Sequence, residues 1–393
     1  MNNYLSISKI CLIGIIIYSA WMYGALGPHN IVLYGLFIVA TTCIGIDILN
    51  VSKINKNVLS SVIPLLAVFA LVSAITGFFI ALDITLFLKS IQNFIVYIII
   101  CFEINYISWK QKNVDWLLHT FVVSGFLIII TNIFFGLDTN YVVTVNINKM
   151  SDFSNPNSEG FILVFGTFAI LALNKCKINI FNLLYICLAV YTIFIGASRK
   201  SLIAESVLLL YTIIYFFSIN SNKRDFKKQI EKSAIFILMI LAALKSVDLF
   251  VNSPIYQRFQ LLDSGINNRY QLIKDAIKLF WENPIFGVGF RQYEVYFKIY
   301  THNTYFEILS CTGLVGACIW LYYFAKLFFN NYIINKKYFD SNISYGFYIL
   351  FIIVLLFLGS GSILFYDLTS LIMLNYVFFY PRLLRINALN KEI

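Results

Sequence analysis

Charge is what this sequence has least of. Only 12% of its 393 residues are Asp, Glu, Lys or Arg, against 60% apolar, whereas a soluble domain is nearer a quarter charged and half apolar. No globular core of this size buries so much apolar surface, so the solvent is lipid. That excludes a soluble enzyme, a secreted disulfide scaffold and a disordered chain together. Paired cysteines are missing too. Cys11, Cys43, Cys101, Cys187, Cys311 and Cys318 lie in apolar runs, Cys176 sits in a short basic loop, and no CxxC occurs. Neither a zinc site nor a disulfide framework is indicated, and the thiols read as small apolar fillers. There is no aspartate-x-aspartate element to hold a metal with a nucleotide sugar, no P-loop and no HExxH. No repeat at about 34, 40 or 45 residues is visible, which argues against a solenoid.

Acidic residues are the scarcer charge: 19 Asp and Glu against 29 Lys and Arg leave a net charge of +10. In a soluble chain that balance would point to nucleic acid. In a membrane chain it follows from the Lys and Arg of cytoplasmic loops, so no nucleic-acid partner is expected.

A bilayer core takes about 20 apolar residues of helix. That ruler gives an all-α polytopic membrane protein with about twelve spans, near 7–26, 30–49, 58–81, 85–105, 114–135, 159–174, 178–197, 200–219, 233–251, 304–329, 343–359 and 364–380. The first run is expected to be a retained helix, because it lacks a small-residue cleavage site. Residues 1–393 are expected to form one integral-membrane domain.

With a cytoplasmic N-terminus, alternate connections carry Lys53 and Lys56, Lys110 and Lys112, and Lys175 and Lys177. They continue with Lys223, Arg224, Lys227, Lys228 and Lys232, then Lys336 and Lys337, then the tail with Arg382, Arg385 and Lys391. The other connections, 27–29, 82–84 and 360–363, hold no Lys or Arg, and 136–158 holds only Lys149. The bias places both termini in the cytoplasm.

Two outward segments break the pattern. One is Ser198-Arg199-Lys200-Ser201; the other, 252–303, carries Arg258, Arg269, Lys274, Lys278, Arg291 and Lys298. Ser198 can N-cap the eighth span, and a helix N-terminus beside a guanidinium suits a phosphate. Snorkelling to lipid head groups is the competing account, and for Lys200 the two stand level. From Asn268 to Glu282, Tyr270, Ile273, Ile277, Phe280 and Trp281 recur at helical spacing opposite Lys274, Asp275, Lys278 and Glu282. Such a helix lies on the outer leaflet or caps the bundle. Gly287-Val288-Gly289 follows Asn283-Pro284, but Gln292 stands where a dinucleotide fingerprint needs glycine, so a tight turn is the reading.

Of three histidines, His29, His119 and His302, only His302 sits among polar groups at a membrane mouth, in Thr301-His302-Asn303-Thr304. Imidazole is the usual base near neutral pH. Asn303 and Glu307 share a helix face, and Glu307 is expected near the outer boundary, binding a sugar or orienting a partner group. Glu205, two turns below Arg199, is a candidate partner for it.

In order, Phe153-Ser154-Asn155-Pro156-Asn157, Gly196-Ala197-Ser198-Arg199, Asn268-Arg269-Tyr270, Asn283-Pro284, Gly287-Val288-Gly289, His302-Asn303 and Gly313-Leu314-Val315-Gly316 resemble the O-antigen ligase and polymerase family. The likeness runs from about residue 153 to 320. It implies a metal-independent glycosyltransferase of the periplasmic face of the bacterial inner membrane, needing no cofactor. The donor would be an oligosaccharide on undecaprenyl pyrophosphate, and a chain-length regulator would be a partner. Arg199 and Arg269 map onto the arginines that grip the pyrophosphate, and His302 onto the histidine that activates the acceptor hydroxyl. Arg291 and Lys200 are further candidate phosphate contacts; Asn303, Glu307, Glu205 and Asn157 are candidate orienting groups. Polymerase, ligase and, from a different class, a transporter are the readings in play. A transporter would place paired broken helices at the midplane, and the sequence displays none.

Overall fold

The computed structural model describes residues 3–22, 31–51, 56–59, 61–135, 156–177, 179–196, 198–219, 262–360 and 367–389. Among them all regular structure is helical: α1 (Asn3–Ile17), α2 (Ile31–Leu49), α3 (Ile63–Ile80), α4 (Ile84–Gln111), α5 (Asp115–Phe135), α6 (Pro156–Leu173), α7 (Ile180–Ile195), α8 (Arg199–Ile219), α9 (Leu262–Glu282), α10 (Tyr293–Phe297), α11 (Thr304–Phe328), α12 (Asn342–Gly359) and α13 (Leu368–Leu389). A π turn, Tyr18–Met22, extends α1, and another, Phe329–Ile333, extends α11.

Eleven of the twelve apolar runs coincide with helices, and the ninth, 233–251, lies outside the described residues. Six helices are long and apolar enough to cross a bilayer: α1, α2, α3, α4, α5 and α11. The protein is therefore a polytopic membrane protein, with six such helices among the described residues where twelve were expected. Shorter apolar helical stretches lie within α6, α7 and α12, α8 carries Arg199, Lys200 and Glu205, and α13 is diluted by Asn375, Pro381, Arg382 and Arg385.

The chain divides into two compact units. One comprises Met1–Ala20, Leu26–Thr120 and Ile266–Ile393; the other comprises Trp21–Ala25 and Phe121–Gly265. In the first, α1 packs on α2, α3 on α4 and α11, and α13 on α4 and α12. Polar pairs are set into this apolar packing. Asn105 of α4 and Asn375 of α13 exchange amide hydrogen bonds at 3.3 and 2.9 Å, both side chains fully buried. Tyr106 donates to Asp47 at 2.6 Å, and Thr41 donates to Glu103 at 2.7 Å. In lipid an unmatched polar group costs several kcal/mol, so such pairs fix which helix faces meet.

In the second unit α6 is the central helix, buried throughout residues 160–171, with α7 and α8 against it. Pro156 opens α6; its fixed φ and missing N–H suit a first helical position.

Candidate active site

In the first unit the site is built around a break in α11. Gly313 has φ +61° and ψ −162°, which no helix tolerates. In an unbroken helix Leu314 and Val315 would donate to Ser310 and Cys311. Instead their N–H groups donate to Pro284 and Ile285 at 2.9 and 3.1 Å, while Val288 and Gly289 donate to the freed carbonyls of Ser310 and Cys311 at 3.0 and 2.9 Å. The Pro284–Gly289 loop thus replaces one turn of α11. Both glycines are required: Gly287 also has positive φ, a Cβ on it would strike the backbone of Cys311 and Thr312, and one on Gly313 would strike the carbonyl of Ile285. The tight-turn reading of Gly287-Val288-Gly289 holds, and its partner is the helix itself.

The loop is anchored on its other side. Phe290 is buried between Phe69 of α3 and Phe94 of α4, with ring centroids 5.9 and 5.5 Å away. Gln292 exchanges two hydrogen bonds with the backbone of Asp83, at 2.9 and 3.1 Å. Tyr293 then enters a small core with Ala276 and Leu279 of α9, Val288 and Cys311, against which Leu272 and Phe306 also pack. Its hydroxyl donates to the carbonyl of Leu272 at 2.9 Å. Burial, then the carboxylates of Asp275 and Glu307, push that phenol well above its ordinary value, so it stays a donor.

This packing divides the apolar residues of α9 between two faces. Ala276, Leu279 and Phe280 are buried, whereas Tyr270, Ile277 and Trp281 are exposed, Trp281 to 72%. The helix packs one stripe on Val288, Tyr293 and Cys311 and leaves a second, aromatic stripe exposed, with Lys274 4.5 Å from the Tyr270 ring centroid. Arg269 is exposed and is the eighth residue of the helix, about two turns past its start at Leu262.

His302 precedes α11 in a turn with φ +55°, a left-handed conformation that costs a non-glycine residue about 1–2 kcal/mol. Such strain persists only where neighbours over-determine it. Here Thr301 N–H donates to the buried Glu307 carboxylate at 3.2 Å, and the Thr301 hydroxyl both donates to the Asn303 carbonyl at 2.8 Å and accepts from the Asn303 N–H at 3.1 Å. The Asn303 side chain caps α11, accepting from Tyr305 and Phe306, and donates to the Ser360 carbonyl at 3.0 Å. Tyr300 lies against the imidazole, ring centroids 4.0 Å apart. The result is a half-buried histidine on a fixed turn at a helix N-terminus.

In the second unit, Asn157 accepts from Ser198 at 3.3 Å, and Ser198 and Ser201 hydroxyls lie 2.8 Å apart. Gly160 of α6 lets these serines approach, since a Cβ there would strike Ser201. The expected N-cap, Ser198, therefore turns its hydroxyl to Ser201 and Asn157, and its carbonyl accepts from Leu202. Arg199 and Lys200 follow, half-buried, as the first residues of α8. Glu205 is fully buried and accepts from Thr167 of α6 at 2.6 Å.

Residues 184–321 match the O-antigen ligase family. The O-antigen ligase segment, about a third of the chain, runs from inside α7 to inside α11. It takes in Arg199, Lys200 and Glu205, then Arg269, Arg291, His302, Asn303 and Glu307; Asn157 lies before it. The family implies glycan transfer of the ligase or polymerase kind. No curated protein matches the chain.

Within that segment three of the candidate residues have defined partners. Glu307 is 2% exposed and accepts from the Thr301 N–H. Asn303 is committed to its cap and to Ser360. Arg291 is ion-paired with Glu294 at 3.3 Å. Sequence reasoning missed Tyr293, Gln292 and Thr301; their signal is only a short polar or aromatic residue beside each glycine or histidine motif. The element Phe153-Ser154-Asn155 lies outside the described residues, as does the basic stretch 223–232.

Proposed function

We propose that this protein polymerises a bacterial surface polysaccharide, O-antigen or capsule, by moving a glycan from undecaprenyl pyrophosphate to a hydroxyl of another lipid-linked repeat unit. The observation that carries the chemistry is His302 on its pinned turn. Transfer forms a bond from the acceptor oxygen to the anomeric carbon and breaks the bond from that carbon to the pyrophosphate oxygen. His302 takes the acceptor proton, and negative charge collects on the leaving pyrophosphate. Arg269 and Arg199, each assigned through the motif it occupies, stabilise that charge with planar, bidentate forks. Lys200 adds a point charge.

The setting proposed is the inner membrane, crossed about twelve times, with both termini cytoplasmic and the transfer at the periplasmic face. The alternating basic connections support this orientation. The exposed Tyr270, Ile277 and Trp281 support α9 resting in the outer leaflet. A chain-length regulator is the proposed protein partner.

The abundance of Tyr and Phe, 26 and 38 residues, with many Ile and Asn, favours the polymerase, because it resembles proteins encoded in polysaccharide gene clusters. The description of the matched family favours the second reading, a ligase transferring the finished chain to lipid A core. Deleting the gene separates them. Lipopolysaccharide capped with a single repeat unit supports the polymerase; core without any repeat overturns it in favour of the ligase.

A further inference from the structure

At the end of α11 remote from His302, roughly 40 Å along the helix, the π turn Phe329–Ile333 and the residues after it pack against the end of α13. A cavity of about 290 Å³ lies there, lined by Ile334, Asn335, Arg382, Arg385, Ile386 and Leu389 among others. Glycan transfer, which rests on His302, makes no use of it.

Two guanidinium groups line this one cavity, three residues apart on α13, and no carboxylate lines it among the described residues. Like charges about one helical turn apart repel, and an anion between them relieves that repulsion. Arg382 is held in place, its Nε donating to Asn331 at 2.6 Å, while Arg385 is exposed. The lysines next in sequence turn to aromatic rings: Lys336 lies 5.1 Å from the Tyr345 centroid, and Lys337 lies 4.9 Å from that of Tyr338. The positive charge in the cavity is thus that of the two arginines.

A second, independent feature is Asn335, which is 2% exposed. Its Nδ2 donates to the Asn330 carbonyl at 2.9 Å, yet its buried Oδ1 has no donor. Buried acceptors are normally satisfied, and Asn335 is one of the residues that line the cavity. Ile334, Ile386 and Leu389 give the same cavity an apolar wall suited to a hydrocarbon chain.

We propose that this cavity binds an anionic phospholipid with a hydroxyl-bearing head group, the phosphate between Arg382 and Arg385 and the hydroxyl donating to Asn335 Oδ1. The test uses the full chain purified in detergent, with binding of phosphatidylglycerol measured by native mass spectrometry. Phosphatidylmethanol, which has the charge but no head-group hydroxyl, phosphatidylcholine and inorganic phosphate are the comparison probes. Wild type should prefer phosphatidylglycerol at least tenfold over phosphatidylcholine. Arg385→Gln, which leaves the Arg382–Asn331 bond intact, should lose that preference. Asn335→Ala should lose only the margin of phosphatidylglycerol over phosphatidylmethanol, and His302→Ala should bind as wild type does. Equal binding of phosphatidylglycerol and phosphatidylcholine, or an unchanged preference in Arg385→Gln, overturns the proposal. Inorganic phosphate binding as tightly as phosphatidylglycerol overturns the lipid assignment.

Discussion

Glu307 offers the sharpest test of the His302 turn. Its carboxylate is buried and accepts the N–H of Thr301, the residue before the strained histidine. Glu307→Ala removes that acceptor, and a buried N–H left bare costs about 1–3 kcal/mol. The turn can escape the cost by releasing Thr301 to water, which also lets His302 leave φ +55°. If the catalytic geometry carries the loss, turnover falls about fivefold to 150-fold, at about 1.36 kcal/mol per tenfold. Glu307→Gln keeps a carbonyl oxygen in the same place and should recover to within a few-fold of wild type. The assay is polymer formation in vesicles from purified lipid-linked repeat units, with thermal unfolding run in parallel and His302→Ala setting the floor. A Gln variant as inactive as the Ala variant, at equal stability, would refute the positioning role and leave the carboxylate's charge as what matters.

Arg199→Ala and Arg269→Ala should each abolish polymer while the protein remains in the membrane; a normal ladder in either removes that arginine from the reaction. Arg199→Lys should also be impaired, because a point charge does not replace the guanidinium fork. His302→Ala should lose turnover yet still bind the lipid pyrophosphate, and full-length polymer from it would exclude the histidine as the base. Gly313→Ala should lower folded yield more than Gly316→Ala. Its new Cβ meets the Ile285 backbone, whereas that at Gly316 meets the side chain of Thr312; equal yields would contradict the clasp.

The helices were legible because a bilayer demands long apolar runs and the sequence supplies them at the right length. α7, expected over 178–197 and observed over Ile180–Ile195, was overextended at both ends, because hydropathy records apolarity and is blind to where hydrogen bonding stops. On α9 the amphipathic period was evident, but the buried stripe was not. Tyr270, Ile277 and Trp281 are as apolar as the residues that pack, and sequence does not separate a surface meant for protein from one meant for lipid. Glu307 was placed near the outer boundary as a sugar-binding or orienting group, and its burial was not legible; the Thr301 N–H it accepts lies across a turn whose shape depends on Asn303 and Ser360. The break at Gly313 was invisible for a deeper reason. Its hydrogen bonds go to Pro284–Gly289, far back in the chain, so no local window holds both halves.

That break also sets what can be exchanged as one piece. The first nine residues of α11 give two of their carbonyls to the Pro284–Gly289 loop, and through Phe306 and Cys311 they share a core with α9. Their helical register is not handed on through Gly313 to the rest of α11. A graft of α9 through the start of α11 between relatives would therefore have to include both glycine elements, from Asn283 to Gly316, to carry the histidine turn intact. Cut between them, the transplanted half would lose the hydrogen bonds that close the break.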